Sequence, residues 1–394
     1  MSHVTKLKLV DLHLIGLYTT ILTINKRAMV SPKIAQARRI TAQRKEKTMS
    51  QQNSGFIIKS ADKKGIANIE MPMLGKQDVL IKMAAVGICG SDIHYYKEGA
   101  CGAFAIQQPF TPGHEACGYV EALGGDVIGL ARGDLVAINP SRPCGSCSHC
   151  VNGEAHLCLN NGFMGSASRF PHSQGMMRRY FSVGAFQCTK VDSQVQVETL
   201  ALIEPFSVAL HAVAQAGPLL GKTVMVSGGG TIGLLVALGA QKAGALKVVL
   251  SDPTPHARNI AKRLGIDAQL DSFLSLESKQ EALGHIDVCF EAAGVEASLA
   301  DCIELVARRG SIVQVGTLPQ MQGRANINAI MTKELSYKGS MRFDKEFATA
   351  LDWVVNRKVD LSPLVSKIVP LQKAQEGFEA ALASNVTKVI VTAE

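Results

Sequence analysis

The chain has 394 residues, 47% of them hydrophobic, enough to bury a large core and long enough for two domains. Its formal net charge of +8 suggests nucleic acid only until it is located: residues 1–48 hold ten Lys/Arg and two acids, leaving thirty-one of each in the remainder. A body without net charge gives no electrostatic reason to expect DNA or RNA as a partner.

The first 48 residues read apart from the rest. Leu9 to Ile24 is apolar, but Asp11 and His13 interrupt it. The run is shorter than the roughly 20 residues of a spanning helix, and no small-residue cleavage site follows it. Neither a membrane span nor secretion is expected. An acid-poor, Arg/Lys-rich segment could be a mitochondrial presequence, yet Met49 stands directly before the polar run Ser50-Gln51-Gln52-Asn53-Ser54. The simpler expectation is a start at Met49, with residues 1–48 an extra, disordered segment.

From Phe56 to Val191, short β-rich runs alternate with glycine and proline: Val79 to Val86, Cys117 to Ala122, Asp134 to Ile138, Tyr180 to Val183 and Gln187 to Val191. This predicts an all-β lobe. Within it lie Cys89-Gly90-Ser91-Asp92-Ile93-His94 and, behind Pro112, Gly113-His114-Glu115. A thiolate, an imidazole and a carboxylate are a ligand set that Zn²⁺ accepts, and three protein ligands leave one place open for substrate. The competing reading of Cys89 is a buried apolar cysteine, and of His114 a satisfied core histidine. Glu204, before Pro205, is a further acidic candidate.

The same lobe carries Cys144, Cys147, Cys150 and Cys158 on a stretch too rich in Gly, Ser, Pro and Asn to pack a core. Four thiolates at that spacing predict a closed, structural zinc site; disulfides or a zinc ribbon touching nucleic acid are the alternatives. Ten cysteines in a chain of this length do not suggest a secreted disulfide scaffold, so a cytoplasmic protein with reduced thiols is expected. Cys101, Cys117, Cys188, Cys289 and Cys302 are expected to act mostly as small hydrophobes.

Past Glu204, helices and strands alternate, opening with a helix from about Ser207 to Ala216. Thr223 to Ser227 is an apolar strand, followed by Gly228-Gly229-Gly230-Thr231-Ile232-Gly233 and a helical run to about Ala243. Lys247 to Leu250 is the next strand, and Asp252 follows nineteen residues after Gly233. Strand, glycine turn, helix and distal acid together predict a dinucleotide site. Gly228, Gly230, Ile232 and Gly233 would cradle the pyrophosphate, while Asp252 would accept from the ribose hydroxyls and repel a 2′-phosphate. NAD is therefore expected, with NADP kept open by Arg258 and Lys262. Ile286 to Phe290 and Ser311 to Val315 continue the parallel sheet. Helices from Asp344 to Asn356 and Gln372 to Ala383, then a strand from Lys388 to Thr392, are expected to complete the β lobe.

Taken together, Cys89, Gly113-His114-Glu115, the four cysteines and the glycine fingerprint resemble the zinc-containing medium-chain alcohol and polyol dehydrogenases, from about Phe56 to the C-terminus. The resemblance implies an α/β chain with a β-rich, GroES-like catalytic domain (49–205 and 342–394) and a Rossmann, doubly wound cofactor domain (206–341). It implies two zinc ions per chain, one catalytic on Cys89, His114, Glu115 and Glu204, the other structural. Such a zinc would acidify a substrate hydroxyl before hydride passes to the nicotinamide. Ser91 and His94 sit at the offsets where the family relays the proton, with Glu115 beside them.

Glu204, Tyr95 and Arg342 look like the substrate groups of the sorbitol branch. Gly162 to Ala167 with Phe170-Pro171-His172 resembles the members that oxidise sugar acids of the idonate type. Met176-Met177-Arg178 departs from the branch, which has a second glycine after Gly175. The expected partners are a small sugar acid or a polyol and a second copy of the chain, as dimer or tetramer, with no nucleic acid and no membrane. A regulatory zinc protein on the same scaffold is the alternative from another class.

Overall fold

The computed structural model describes residues 52–191, 194–318 and 325–394; the expectations for residues 1–48 and for Met49 lie outside them. Two sheets organise the chain. In the first lobe, a hairpin of β1 (Asn53–Ser60) and β2 (Lys63–Ile69) precedes β3 (Asp78–Gly87) and helix α1 (Gly90–Glu98). A small pair, β4 (Ala100–Cys101) and β5 (Phe104–Ala105), leads to β6 (Glu115–Leu123), β7 (Leu135–Ile138), β8 (Tyr180–Gly184) and β9 (Cys188–Lys190). Helix α2 (Ile203–Ala216) then opens the second lobe. Eleven of its fourteen residues are buried, because a helix apolar on every side must lie inside the protein.

The second sheet is wholly parallel. Its strands are β10 (Thr223–Ser227), β11 (Lys247–Ser251), β12 (Ala268–Leu270), β13 (Val288–Glu291), β14 (Ser311–Gln314) and β15 (Ser336–Gly339), in the spatial order β12-β11-β10-β13-β14-β15. That is the doubly wound order, with its topological switch between β10 and β13. Helix α3 (Thr231–Lys242) follows β10 directly. The chain then forms helix α4 (Glu346–Val355) and returns to the first sheet through β16 (Val365–Pro370) and β17 (Lys388–Thr392). The first sheet runs β16-β17-β3-β6-β7-β9, with β8 on β3. Strands from both ends of the chain therefore build one lobe, and those from its middle build the other.

The structure adds elements that the sequence pattern did not predict: the β1–β2 hairpin, α1, β12, β15 and β16. Helix α2 starts four residues before the expected Ser207, which puts Glu204 in its first turn. Phe206, Leu210, Val226 and Leu235 share one buried cluster with Ala85, Cys117 and Ile390, so the two sheets meet over a continuous core. Among the described residues, one helical stretch is long and apolar enough to cross a membrane, Val197–Ala216, and 78% of it is buried inside the protein.

Candidate metal and dinucleotide sites

The register of three strands makes the first site. Gly87 on β3 pairs with Glu115 on β6 and with Ile390 on β17. Cys89 lies two residues beyond Gly87 at the N-cap of α1, and Lys388 lies two residues before Ile390, so both come to the edge where β6 begins. Gly113, in the left-handed region at φ 95, turns the chain into His114 and Glu115. The Cys89, His114 and Glu115 ligand atoms all lie within 4.8 Å of one another. Gly87 itself has to be small, since a Cβ there would strike Glu115 Oε2.

Two residues to which the sequence pattern assigned no role hold this group together. Asp92, fully buried, accepts from Cys89 N and from Gly113 N, both at 3.0 Å, and so ties the two halves of the site. Its position three residues after a helix N-cap was the signal available in the sequence. Lys388 donates to both oxygens of Glu115 at 2.8 Å and to Ile88 O at 3.0 Å, with 3% and 1% of the two side chains exposed. Nothing in the sequence marks a lone lysine at the head of an apolar strand.

The electrostatics are those of a site for a cation. Burial opposes charge on His114, but Cys89 and Asp92 outweigh it and raise its pKa well above the ordinary value. His114 Nδ1 is buried without a hydrogen-bond partner, 3.8 Å from Asp92 Oδ1. Burial likewise lifts the Asp92 carboxyl, against the pull of His114, and takes Glu204 to about 7. An orphaned imidazole nitrogen among a thiol and three acids fits a divalent cation better than it fits the residues alone. Glu204 lies outside the group of three but is an electrostatic neighbour of His114, Glu115, Lys388 and Arg342.

Cys144, Cys147, Cys150 and Cys158 form the second group, again with all ligand atoms within 4.8 Å. Four sulfurs around a tetrahedral zinc stand about 3.8 Å apart, from a Zn–S bond of about 2.3 Å. Cys147 Sγ and Cys158 Sγ are 3.9 Å apart. Backbone N–H groups of Cys144 and Asn160 point at Cys158 Sγ, at 3.2 and 3.3 Å. Those of Ser146 and Cys147 depress the Cys144 thiol to about 5, while burial pushes Cys150 up to about 12. Around them Val151 and Leu159 are exposed, so the lobe lacks a core and fits a metal cross-link.

At the turn after β10, Gly228 has φ 106, and a Cβ on Gly233 would strike Gly228 O, so α3 packs directly on the turn. Gly230 caps α3 and faces open space, leaving the close approach a pyrophosphate needs. Ile232 is half-buried on the first turn. Asp252 accepts from Gly229 N at 2.7 Å and from Thr254 N and Oγ1 at 2.7 and 2.6 Å. Arg258 is engaged with Asp252 O at 2.6 Å and Asp271 Oδ2 at 3.2 Å.

The expected substrate groups divide. Arg342 stacks its guanidinium 4.3 Å over Phe163, whose ring leans on His114 at 5.6 Å, and lies near Glu204. Tyr95 turns into the core instead: it is 2% exposed, packs edge-on against Phe110, and its hydroxyl accepts from Ala167 N at 3.0 Å. His172 is also committed, with Nε2 accepting from Gln107 N at 2.8 Å and Nδ1 donating to Arg169 O at 2.7 Å, so it has no nitrogen left for a carboxylate. Ser91 is half-buried on α1, and His94, three residues on, is exposed beside Glu98 at 3.2 Å.

Residues 75–193 match the alcohol dehydrogenase GroES-like domain, and residues 231–356 match the zinc-binding dehydrogenase domain. The chain is 36% identical to L-idonate 5-dehydrogenase (NAD(P)(+)) of Escherichia coli K12 over 323 residues, covering 82% of this chain and 93% of that protein. It is 33% identical to sorbitol dehydrogenase of Gallus gallus over 348 residues, covering 86% and 96%. The crystal structure of the Escherichia coli L-idonate 5-dehydrogenase superposes with a TM-score of 0.82 at 33% identity, over 87% of this chain and 98% of that one. Two family domains in the order the two lobes require, and relatives matched over nearly their whole length, lead to one conclusion: the chain belongs to the zinc-binding alcohol dehydrogenases and is an oxidoreductase of that family.

Proposed function

We propose that the protein carries two zinc ions, uses NAD, and oxidises a secondary hydroxyl of a sugar acid, L-idonate to 5-ketogluconate, or runs the reverse reduction. The observation that carries the reading is the Cys89, His114 and Glu115 cluster set beside an acid, Glu204, and a cation, Arg342. We read residues 49–205 and 342–394 as the catalytic part and 206–341 as the cofactor part.

The bound zinc would supply Lewis acidity at the substrate hydroxyl. Glu204, whose carboxyl burial lifts to about 7, is suited to donate a hydrogen bond to a sugar hydroxyl when protonated or to accept one when ionised. Arg342, pinned over Phe163, offers its guanidinium to a carboxylate. Ser91 and His94, three apart on α1, face the same side of the helix, from a half-buried position to an exposed one, the direction in which a proton would leave. Asp252 supports NAD, since its carboxylate would repel a 2′-phosphate, and Arg258 is spent on Asp252 O and Asp271. NADP is the weaker partner in this reading. A homo-oligomer belongs to it as well, supported by the exposed edge strand β15.

A second reading, a plain polyol dehydrogenase, is favoured by the engagement of His172, which leaves Arg342 as the one cation named for the acid. Steady-state kinetics on L-idonate, sorbitol and xylitol with NAD and NADP separate the two. The sugar-acid reading predicts a higher kcat/KM for L-idonate, and a loss on Arg342→Ala about tenfold greater for L-idonate than for sorbitol. Higher kcat/KM on sorbitol than on L-idonate would overturn it.

A further inference from the structure

Apart from the Cys89 group and the dinucleotide turn, and bordered by Cys144 of the four-cysteine group, the β lobe holds a cavity of about 580 Å³. Arg142, Arg169 and Arg178 line it together with Asn160, Ser173 and Gln174, and among the described residues no Asp or Glu lines it. Arg169 is propped by Asn160 O at 2.7 Å. Arg178 is the unusual member. Its Nε is buried without a hydrogen-bond partner, and burial, with no acid to offset it, lowers its pKa to about 10. Arg178 as a residue is half-buried, so part of its guanidinium can meet a ligand while the buried Nε lacks a partner, and an arginine in that condition favours a counter-charge.

The inner side of the same loop faces the metal group. Gly162 and Met164, which line the cavity, flank Phe163, the residue that leans on His114 and carries Arg342. None of Cys89, His114, Glu115, Glu204 or Arg342 lines the cavity, so it is separate from the centre described above.

We propose that this three-arginine cavity is a binding site for a small multivalent oxyanion, of the phosphate or carboxylate kind. Planar guanidinium groups bind both kinds through paired, charge-assisted hydrogen bonds, and the volume admits a small metabolite rather than a macromolecule. An occupant would bridge Arg142, beside the four-cysteine lobe, to Arg178 in the sheet lobe and stiffen the loop between them.

The test is titration of the full-length, metal-loaded protein with inorganic phosphate and with citrate at constant ionic strength, by calorimetry and by thermal melting. The wild-type protein is compared with Arg178→Met and with the double variant Arg142→Ala/Arg169→Ala, whose side chains are exposed. The dinucleotide turn contributes equally to all three proteins, so differences report on this cavity. We expect binding to weaken at least about tenfold in Arg178→Met, with a melting temperature in the absence of anion no lower than that of the wild type, and severalfold in the double variant. Tighter phosphate assigns the phosphate kind, and tighter citrate the carboxylate kind. Absence of binding to the wild type at about 10 mM of either anion, or equal affinity in the variants, overturns the proposal. If Arg178→Met does not fold, the double variant decides alone.

Discussion

Lys388 and Glu115 show how much a single pair can matter at a metal site. Two oxygens and one ammonium are buried together at 2.8 Å, among Cys89, Asp92 and Glu204. Removing one member of such a pair strands the other, at a cost of about 3–5 kcal/mol. Lys388→Met is therefore expected to lower stability to urea by about 3 kcal/mol in chelator-treated protein, and by less with zinc present, because the ion then compensates Glu115. An equal loss with and without zinc would show that Glu115 does not face the metal. Cys89, His114 and Glu115 were legible in the sequence because their chemistry is distinctive. Asp92 and Lys388 were given no role: the spacing of Asp92 from Cys89 pointed to a cap contact but not to its bond with Gly113, and the value of Lys388 comes from strand register and burial, which no spacing encodes. Tyr95 and His172 were named for their residue type; in the fold the Tyr95 hydroxyl accepts from Ala167 N, and both His172 nitrogens are engaged, with Gln107 N and Arg169 O.

At the scale of elements, the join between α2 and α4 is open to a pH experiment. His211 on α2 donates to Glu346 on α4 at 3.1 Å, Phe206 packs on Trp353 nearby, and Gln215 donates to the other His211 nitrogen. Burial alone would raise the Glu346 carboxyl, but the hydrogen bonds from His211 and Asp344 N prevail and bring it to about 2. A depressed carboxylate stabilises the fold above its unfolded value, near 4.5, and loses that contribution as pH falls toward about 2. Glu346→Gln should accordingly cost about 1–2 kcal/mol at pH 7, discounted for partial exposure, with the gap from wild type closing below about pH 4.5. A gap unchanged between pH 7 and pH 3.5 would contradict the assignment. The four-cysteine lobe gives a second test: Cys147→Ser should release its zinc and admit proteolysis between residues 144 and 158, whereas a lobe that stays resistant has support other than the metal. The central strands of the parallel sheet were legible as apolar runs. Strand β15 was not, because all four of its residues are exposed at the sheet edge, and α1 was not, because it is a polar helix that buries only Asp92, Tyr95 and Tyr96.

For the whole molecule, the return of the chain is the decisive feature. The first lobe is finished by β16 and β17 after the parallel sheet has been made, and β17 brings Lys388 to a site begun three hundred residues earlier at Ile88 and Cys89. On the proposed reading, a cofactor sheet inserted between the two parts of a catalytic lobe would bring a nicotinamide and a metal together. The change of pattern past Glu204 led to the expectation of an insertion; it gave no sign of the core that α2 shares between the sheets, which depends on side chains far apart in the chain. The central claim is that the two cysteine-containing groups hold separate zinc ions with separate roles. It is tested most directly by native mass spectrometry of the wild-type protein and of Cys89→Ser, with dehydrogenase turnover measured on the same samples. Two zinc ions in the wild type, one in Cys89→Ser, and loss of turnover without loss of fold are the predicted result; a Cys89→Ser protein that keeps both ions and its turnover would contradict it.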